Sequence, residues 1–147
     1  MEPLNYGIIG INGYGATHLA AVDAVEQEEL VALRAVAEVF PDRCPDKIAQ
    51  LRERGVRIYD DYRQMLQQED ELEAVSVPTP IPLHVPMALA CFERGLHVWL
   101  EKPPAVLVQD VDGMLEAAGA AGRFCQIGFQ NIMDEGARVL KEKIAAG

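Results

Sequence analysis

Three short stretches bring together residue types able to do chemistry. The first, GIIGINGYGATH, places Gly10, Asn12, Gly13, Tyr14 and Gly15 between an apolar run and a helical pattern. Its spacing approximates G-x-G-x-x-G, in which glycines let the backbone approach a pyrophosphate and a helix N-terminus turns its N–H groups and positive dipole towards it. Gly10 and Gly15 hold the first and third places, Asn12 the second, and Gly13 follows it. Asn tolerates left-handed φ better than most residues, so the turn survives the exchange. The second is Glu38, ending the next apolar run roughly 20 residues after Gly15, where a carboxylate accepts hydrogen bonds from adenosine ribose hydroxyls. Its charge repels a 2′-phosphate, which favours NAD over NADP; Arg43, just beyond it, is the residue that would reach such a phosphate. The third is HVWLEKPPAV, an apolar run that ends in Glu101, Lys102 and two prolines. Prolines remove ladder donors and fix φ, so a strand stops there with a carboxylate and an ammonium at its tip.

The elements that must position these groups alternate along the chain. Strands are expected at Asn5 to Ile9, in LVALRAVAEV, VRIY, EAVSV, HVWL and RFCQIG. Helices are expected after the Gly-rich turn to about Glu26 (Leu19, Val22 and Val25 on one side), around Cys44, Ile48 and Leu51, and in DDYRQML. Others should run from His84 to Arg94, through Val108, Val111 and Leu115, and along Met133, Ala137, Leu140 and Ile144. Such alternation implies an α/β protein, a Rossmann-type doubly wound parallel sheet of about six strands with helices on both faces, over residues 1–147 as one dinucleotide-binding domain. Ligands of such sheets bind beyond the carboxyl ends of the strands, where all three stretches fall.

Composition narrows the partners. The 147 residues carry a formal charge of −10, which disfavours nucleic acid and anionic lipid. No apolar run reaches the length of a membrane span, and MEPLNYGIIG lacks the basic-then-apolar form of a signal peptide. Cys44, Cys91 and Cys125 form no CxxC pair and have no histidine at ligand spacing, so no metal site is expected. They read as reduced thiols of a cytoplasmic protein.

The order of the pieces then becomes informative: Gly-rich turn, acidic strand end, VSVPTPIPLH, GLHVWLEKPPAV and QIGFQNIMDEGARVLKEKIAAG. It resembles the N-terminal NAD(P)-binding domain of the glucose–fructose oxidoreductase and inositol dehydrogenase (Gfo/Idh/MocA) family over essentially the whole chain. Glu101-Lys102-Pro103, the family's E-K-P motif, is the most specific element; GYGATH and PLH support it. The resemblance implies an NAD(P)-dependent oxidoreductase acting on a sugar, polyol or related hydroxy compound. It implies that Lys102 is catalytic and lies beside the nicotinamide ribose and the substrate, where an ammonium orients a hydroxyl and favours alkoxide charge. Glu101 joins the cofactor set, Thr79, Pro80 and His84 are candidates for the nicotinamide side, and the Lys102–Pro103 bond is expected cis. His18 and His97 read as packing residues and Trp99 as core.

Three departures stand out: Asn12 for the second glycine, Glu38 for the more usual Asp, and Ile132 where many members have arginine. The resemblance also implies a second domain on an open antiparallel sheet, carrying the acid/base histidine and forming most of the substrate pocket. Nothing in the sequence matches it, so the chain alone is expected to bind the cofactor without turnover, and a homo-oligomer could cover the face that domain would occupy. Two further readings stay open: a non-catalytic NAD(H)-binding or sensing module, and a Rossmann-like interaction domain that has lost its nucleotide.

Overall fold

A computed structural model describes residues 2–130 and 134–146. The strands are β1 (Leu4–Ile9), β2 (Val31–Ala37), β3 (Arg57–Tyr59), β4 (Ala74–Val77), β5 (His97–Leu100) and β6 (Cys125–Ile127). The helices are α1 (Gly15–Gln27), α2 (Pro45–Glu53), α3 (Tyr62–Gln68), α4 (Ile81–Glu93), α5 (Val108–Ala121) and α6 (Glu135–Ala146). The strands are parallel and lie in the order β3-β2-β1-β4-β5-β6. This is the doubly wound sheet that the alternating pattern predicts. The strand order reverses beside β1, so a crevice opens between the carboxyl ends of β1 and β4.

Successive strand side chains point to opposite faces, and the core divides accordingly. Ile8 and Val36 face α1 and α2, packing with Leu19, Val22, Ile48 and Leu51. Ile9, Val75, Val77 and Leu100 face the other side, packing with Met65, Met87, Phe92 and Met114. β1 and β4 are buried by both layers, which is why their sequences are near-continuous apolar runs rather than alternating ones.

Some helical details depart from the sequence reading. α4 begins at Ile81, ahead of His84, so Pro82 lies in the first turn, where its missing N–H costs nothing. α5 is rotated from its expected phase: Met114 and Ala118 are buried with Val111 beside them, whereas Val108 and Leu115 face solvent. Long Met114 fills the core more completely than a surface alternation of Val108 and Leu115 suggests. Val25 is exposed near the end of α1. α6 forms, but it buries no residue, and its stripe members Leu140 and Ile144 are exposed. Ile132 and Met133 lie outside the described residues. Among the described residues no helix is long and apolar enough to cross a membrane, and no group of three candidate ligands could hold a metal ion.

At the β3 edge, Glu69 closes the end of α3 against the sheet. Its buried carboxylate accepts hydrogen bonds from the Arg57 guanidinium and, at 2.5 Å, from the Tyr59 hydroxyl. Burial pushes the Glu69 carboxyl up, but the bonds from Arg57 and Tyr59 outweigh it and hold it below the usual carboxylate range. A depressed folded-state pKa stabilises above the unfolded value, and that contribution is lost as pH falls through the folded one. Glu69→Gln is therefore expected to lower stability at pH 7 by about 1–2 kcal/mol, modest because Arg57 remains half in solvent. In urea titrations the gap between wild type and variant should close as pH drops below the ordinary carboxylate range.

Candidate functional site

The turn after β1 is built around a contact that only glycine permits. A Cβ on Gly15 would lie 2.3 Å from the Gly10 carbonyl oxygen, and Gly10 itself has φ +92°. α1 thus starts directly against the end of β1. The Gly10 N–H continues the ladder to the Ala37 carbonyl at 2.7 Å. Asn12 in the second glycine position does not open the turn: its Nδ2 donates to the Phe40 carbonyl at 3.3 Å. The amides of Gly13 and Tyr14, just ahead of α1, have no partner among the described residues, whereas those of Gly15, Ala16 and Thr17 donate to the Asn12, Gly13 and Tyr14 carbonyls.

Glu38 is 4% exposed, and its carboxylate is largely used within the protein. Oε2 accepts the Ile11 and Asn12 amides at 2.9 and 3.2 Å, and Oε1 accepts the Phe40 amide at 2.9 Å. A carboxylate has about four acceptor positions, so about one remains unused. Glu38 therefore fastens the turn to the end of β2 as well as lining the cleft. That first role leaves no mark in the sequence, because its donors are backbone groups.

The cleft beside Glu38 has a volume of about 540 Å³ and is bounded by Val39, Phe40, Tyr62, Leu83 and Met87. Arg43 borders it with its guanidinium over the Phe40 ring, 4.2 Å from the centroid. The cleft walls are mostly apolar, with Asn12, Gly13 and Glu38 at the edge.

A second cleft of about 460 Å³ continues across the crevice and is lined by Tyr14, Thr79, Pro80, His84, Glu101 and Lys102. Lys102 is exposed at its mouth, and the Lys102–Pro103 peptide is cis. Thr79 Oγ1 donates to Met87 Sδ at 3.5 Å. His84 lies buried in the wall of this cleft, with both ring nitrogens near carbonyl oxygens. Glu101 is also buried, and it pairs with His18. From the sequence, His18 reads as a packing residue. It does pack, against Trp99 at 4.3 Å between ring centroids, but it also bonds the E-K-P glutamate. Its place three residues into GATH was the one available signal, since the partner lies far off in sequence. His97 accepts the Phe124 amide through Nδ1 at 3.1 Å and stacks on that ring, away from the cleft.

No thiol is activated for attack. Cys91 is pushed up to about 12 by burial, with the neighbouring Cys125 adding to it, and burial followed by the Glu38 charge raises Cys44.

The profile of the GFO_IDH_MocA oxidoreductases, described as an oxidoreductase family with an NAD-binding Rossmann fold, matches residues 4–129. The chain belongs to the Gfo/Idh/MocA family. It is 30% identical over 145 residues to an inositol 2-dehydrogenase of Serratia proteamaculans, covering 98% of this chain and 42% of that protein. It is 27% identical over 131 residues to an alpha-N-acetylgalactosaminidase of Shewanella oneidensis, covering 86% of this chain and 28% of the relative. The WlbA dehydrogenase of Chromobacterium violaceum, solved with NADH and UDP-GlcNAcA, superposes with a TM-score of 0.84 at 25% identity, over 97% of this chain and 39% of that one. The chain thus spans well under half the length of these Gfo/Idh/MocA relatives, and the shared part is the Rossmann domain.

Gly15→Ala and Gly119→Ala give opposite expectations. The first drives a methyl group into the Gly10 carbonyl and should cost about 1–3 kcal/mol. The second sits on the exposed side of α5, with nothing within 4 Å of the added atom, and should raise stability by up to about 1 kcal/mol. Thermal unfolding of both variants beside wild type measures the difference.

Proposed function

We propose that this chain is the nicotinamide-dinucleotide-binding part of an oxidoreductase that acts on a sugar, polyol or related hydroxy compound, with NAD(H) preferred over NADP(H). The observation that carries this reading is the convergence of the glycine turn, Glu38 and Lys102 on one crevice, at the reversal of strand order beside β1. Each group does a different job there. The Gly10–Gly15 turn holds the pyrophosphate, with the unpartnered amides of Gly13 and Tyr14 as its donors. Glu38 offers its remaining acceptor position to the adenosine ribose and places negative charge where NADP would carry a phosphate. Arg43 borders the same cleft, but its position over Phe40 suits stacking on the adenine side. Thr79 and Pro80 wall the nicotinamide half, with His84 behind them.

Lys102 projects from the end of β5 into the same half. Its ammonium donates to a substrate hydroxyl and favours negative charge on that oxygen. When bound, the nicotinamide supplies the carbon that exchanges hydride with the substrate. The proton on the hydroxyl needs a base within hydrogen-bond reach. The three histidines of this chain are engaged elsewhere: His18 with Glu101, His84 with two carbonyls and His97 with the Phe124 amide. The base therefore comes from outside the residues of this crevice, in keeping with relatives much longer than this chain. Substrate choice is written there too, as the divergent names of similar proteins suggest.

Calorimetric titration with NADH and NADPH tests the proposal. Wild type should bind NADH more tightly. Glu38→Ala should weaken NADH binding about tenfold, through loss of both a charge-assisted bond and the brace on the turn, and should narrow the difference between cofactors. Tighter binding of NADPH by wild type would transfer the discriminating role to Arg43. Steady oxidation of polyols or sugars by the 147-residue chain, abolished by Lys102→Ala, would show that the base lies within it after all.

A further inference from the structure

Lys102 is exposed, yet the residues on either side of it are each held by a buried histidine. His18, on α1, is 1% exposed and has Nε2 2.9 Å from Glu101 Oε1. His84, on α4, is equally buried at 1%. Its Nδ1 lies 3.0 Å from the Pro103 carbonyl oxygen and its Nε2 2.7 Å from that of Thr79. Carbonyl oxygens only accept, so the neutral ring donates to one of them and the cation to both. The second oxygen of Glu101 accepts the Lys102 amide at 3.2 Å.

The His18–Glu101 contact is closely packed. Gly128 closes the space beside Glu101, where an added Cβ would come within 2.6 Å of Oε1. His18 is backed by the Trp99 ring, 4.3 Å away between centroids. Burying two imidazoles and a carboxylate costs desolvation that apolar residues of similar size would avoid. Directional bonds to the two neighbours of one lysine are what these groups provide in return. The helices concerned are also the two that flank the crevice: α1 opens from the pyrophosphate turn, and α4 opens from the Thr79–Pro80 loop.

We propose that His18 and His84 are positioning residues, a two-sided clamp that fixes the backbone before and after Lys102 so that α1 and α4 jointly set where its ammonium lies. A lysine side chain has four flexible bonds and a solvated tip, so anchoring its backbone is the main means of directing it. The inference rests on the reading of Lys102 as a nicotinamide-side group, and it adds the residues through which that group is directed.

A double-mutant cycle on NADH affinity, read by calorimetry on the intact chain, tests it. Lys102→Ala should weaken NADH binding about fivefold, the loss of one charge-assisted bond. His18→Leu and His84→Leu should each weaken binding about two- to fivefold while Lys102 is present, and should have no further effect once Lys102 is alanine. His18→Gln and His84→Gln, which keep an N–H donor, should recover part of the loss. Equal losses with and without Lys102 would mean that the histidines act through the fold alone, and would overturn the clamp. No loss on Lys102→Ala by itself would remove Lys102 from the nicotinamide side, so the earlier reading would fail first and the clamp with it. Should a leucine variant not fold, Gly128→Ala displaces Glu101 with both histidines intact, and its loss of affinity should likewise vanish in the Lys102→Ala background.

Discussion

The approach of Gly15 to the Gly10 carbonyl oxygen is the constraint on which the rest of the molecule depends. It lets the start of α1 fold back against the end of β1 across the short turn Gly10–Tyr14. That placement sets three things at once. The first amides of α1 close the turn by donating to the Asn12, Gly13 and Tyr14 carbonyls, which leaves the Gly13 and Tyr14 amides without a partner among the described residues. Leu19 and Val22 reach the apolar layer beneath β1 and β2. His18, on the first turn of the helix, comes to lie under the end of β5 beside Trp99 and Glu101. A longer turn would move all three together, because they share one rigid helix.

Much of this was legible in the sequence, and for local reasons. The strand and helix order follows from apolar periodicity, and the ends of β1, β2 and β5 are marked by Gly10, Glu38 and Lys102, residues whose types are uncommon in buried strands. The phase of α5 was not legible, because Met114 and Leu115 are both long and apolar and only the packed layer decides which turns inward. The inward turn of the Glu38 carboxylate was hidden for another reason. Its partners are main-chain amides, which every residue possesses and no sequence advertises. The His18–Glu101 pair was hidden by distance, since a histidine near the start of the chain gives no hint of a glutamate just past the fifth strand. Buried polar pairs of this sort are set by topology.

The acidic character of the chain also reads differently once the fold is known. The carboxylates nearest the crevice, Glu38 and Glu101, are both buried and bonded, one to amides and one to an imidazole. Their charge is thereby partly compensated where an anionic cofactor would come closest. Much of the remaining acidic surface lies on helix faces and loops such as Glu28, Glu29 and Glu71, which are exposed. A strongly negative protein can in this way present a crevice suited to phosphates.

α6 is the most lightly anchored helix of the described structure: none of its residues is buried. A helix of 12 residues that buries so little is close to the limit at which helix and coil are equally populated. Its amide protons should therefore exchange with solvent orders of magnitude faster than those of β1 and β4, whose opening requires the whole sheet to come apart. Any surface that covers Leu140 and Ile144 would then do more than bury them. It would convert a fluctuating segment into a fixed one, and part of its binding free energy would be consumed in that ordering.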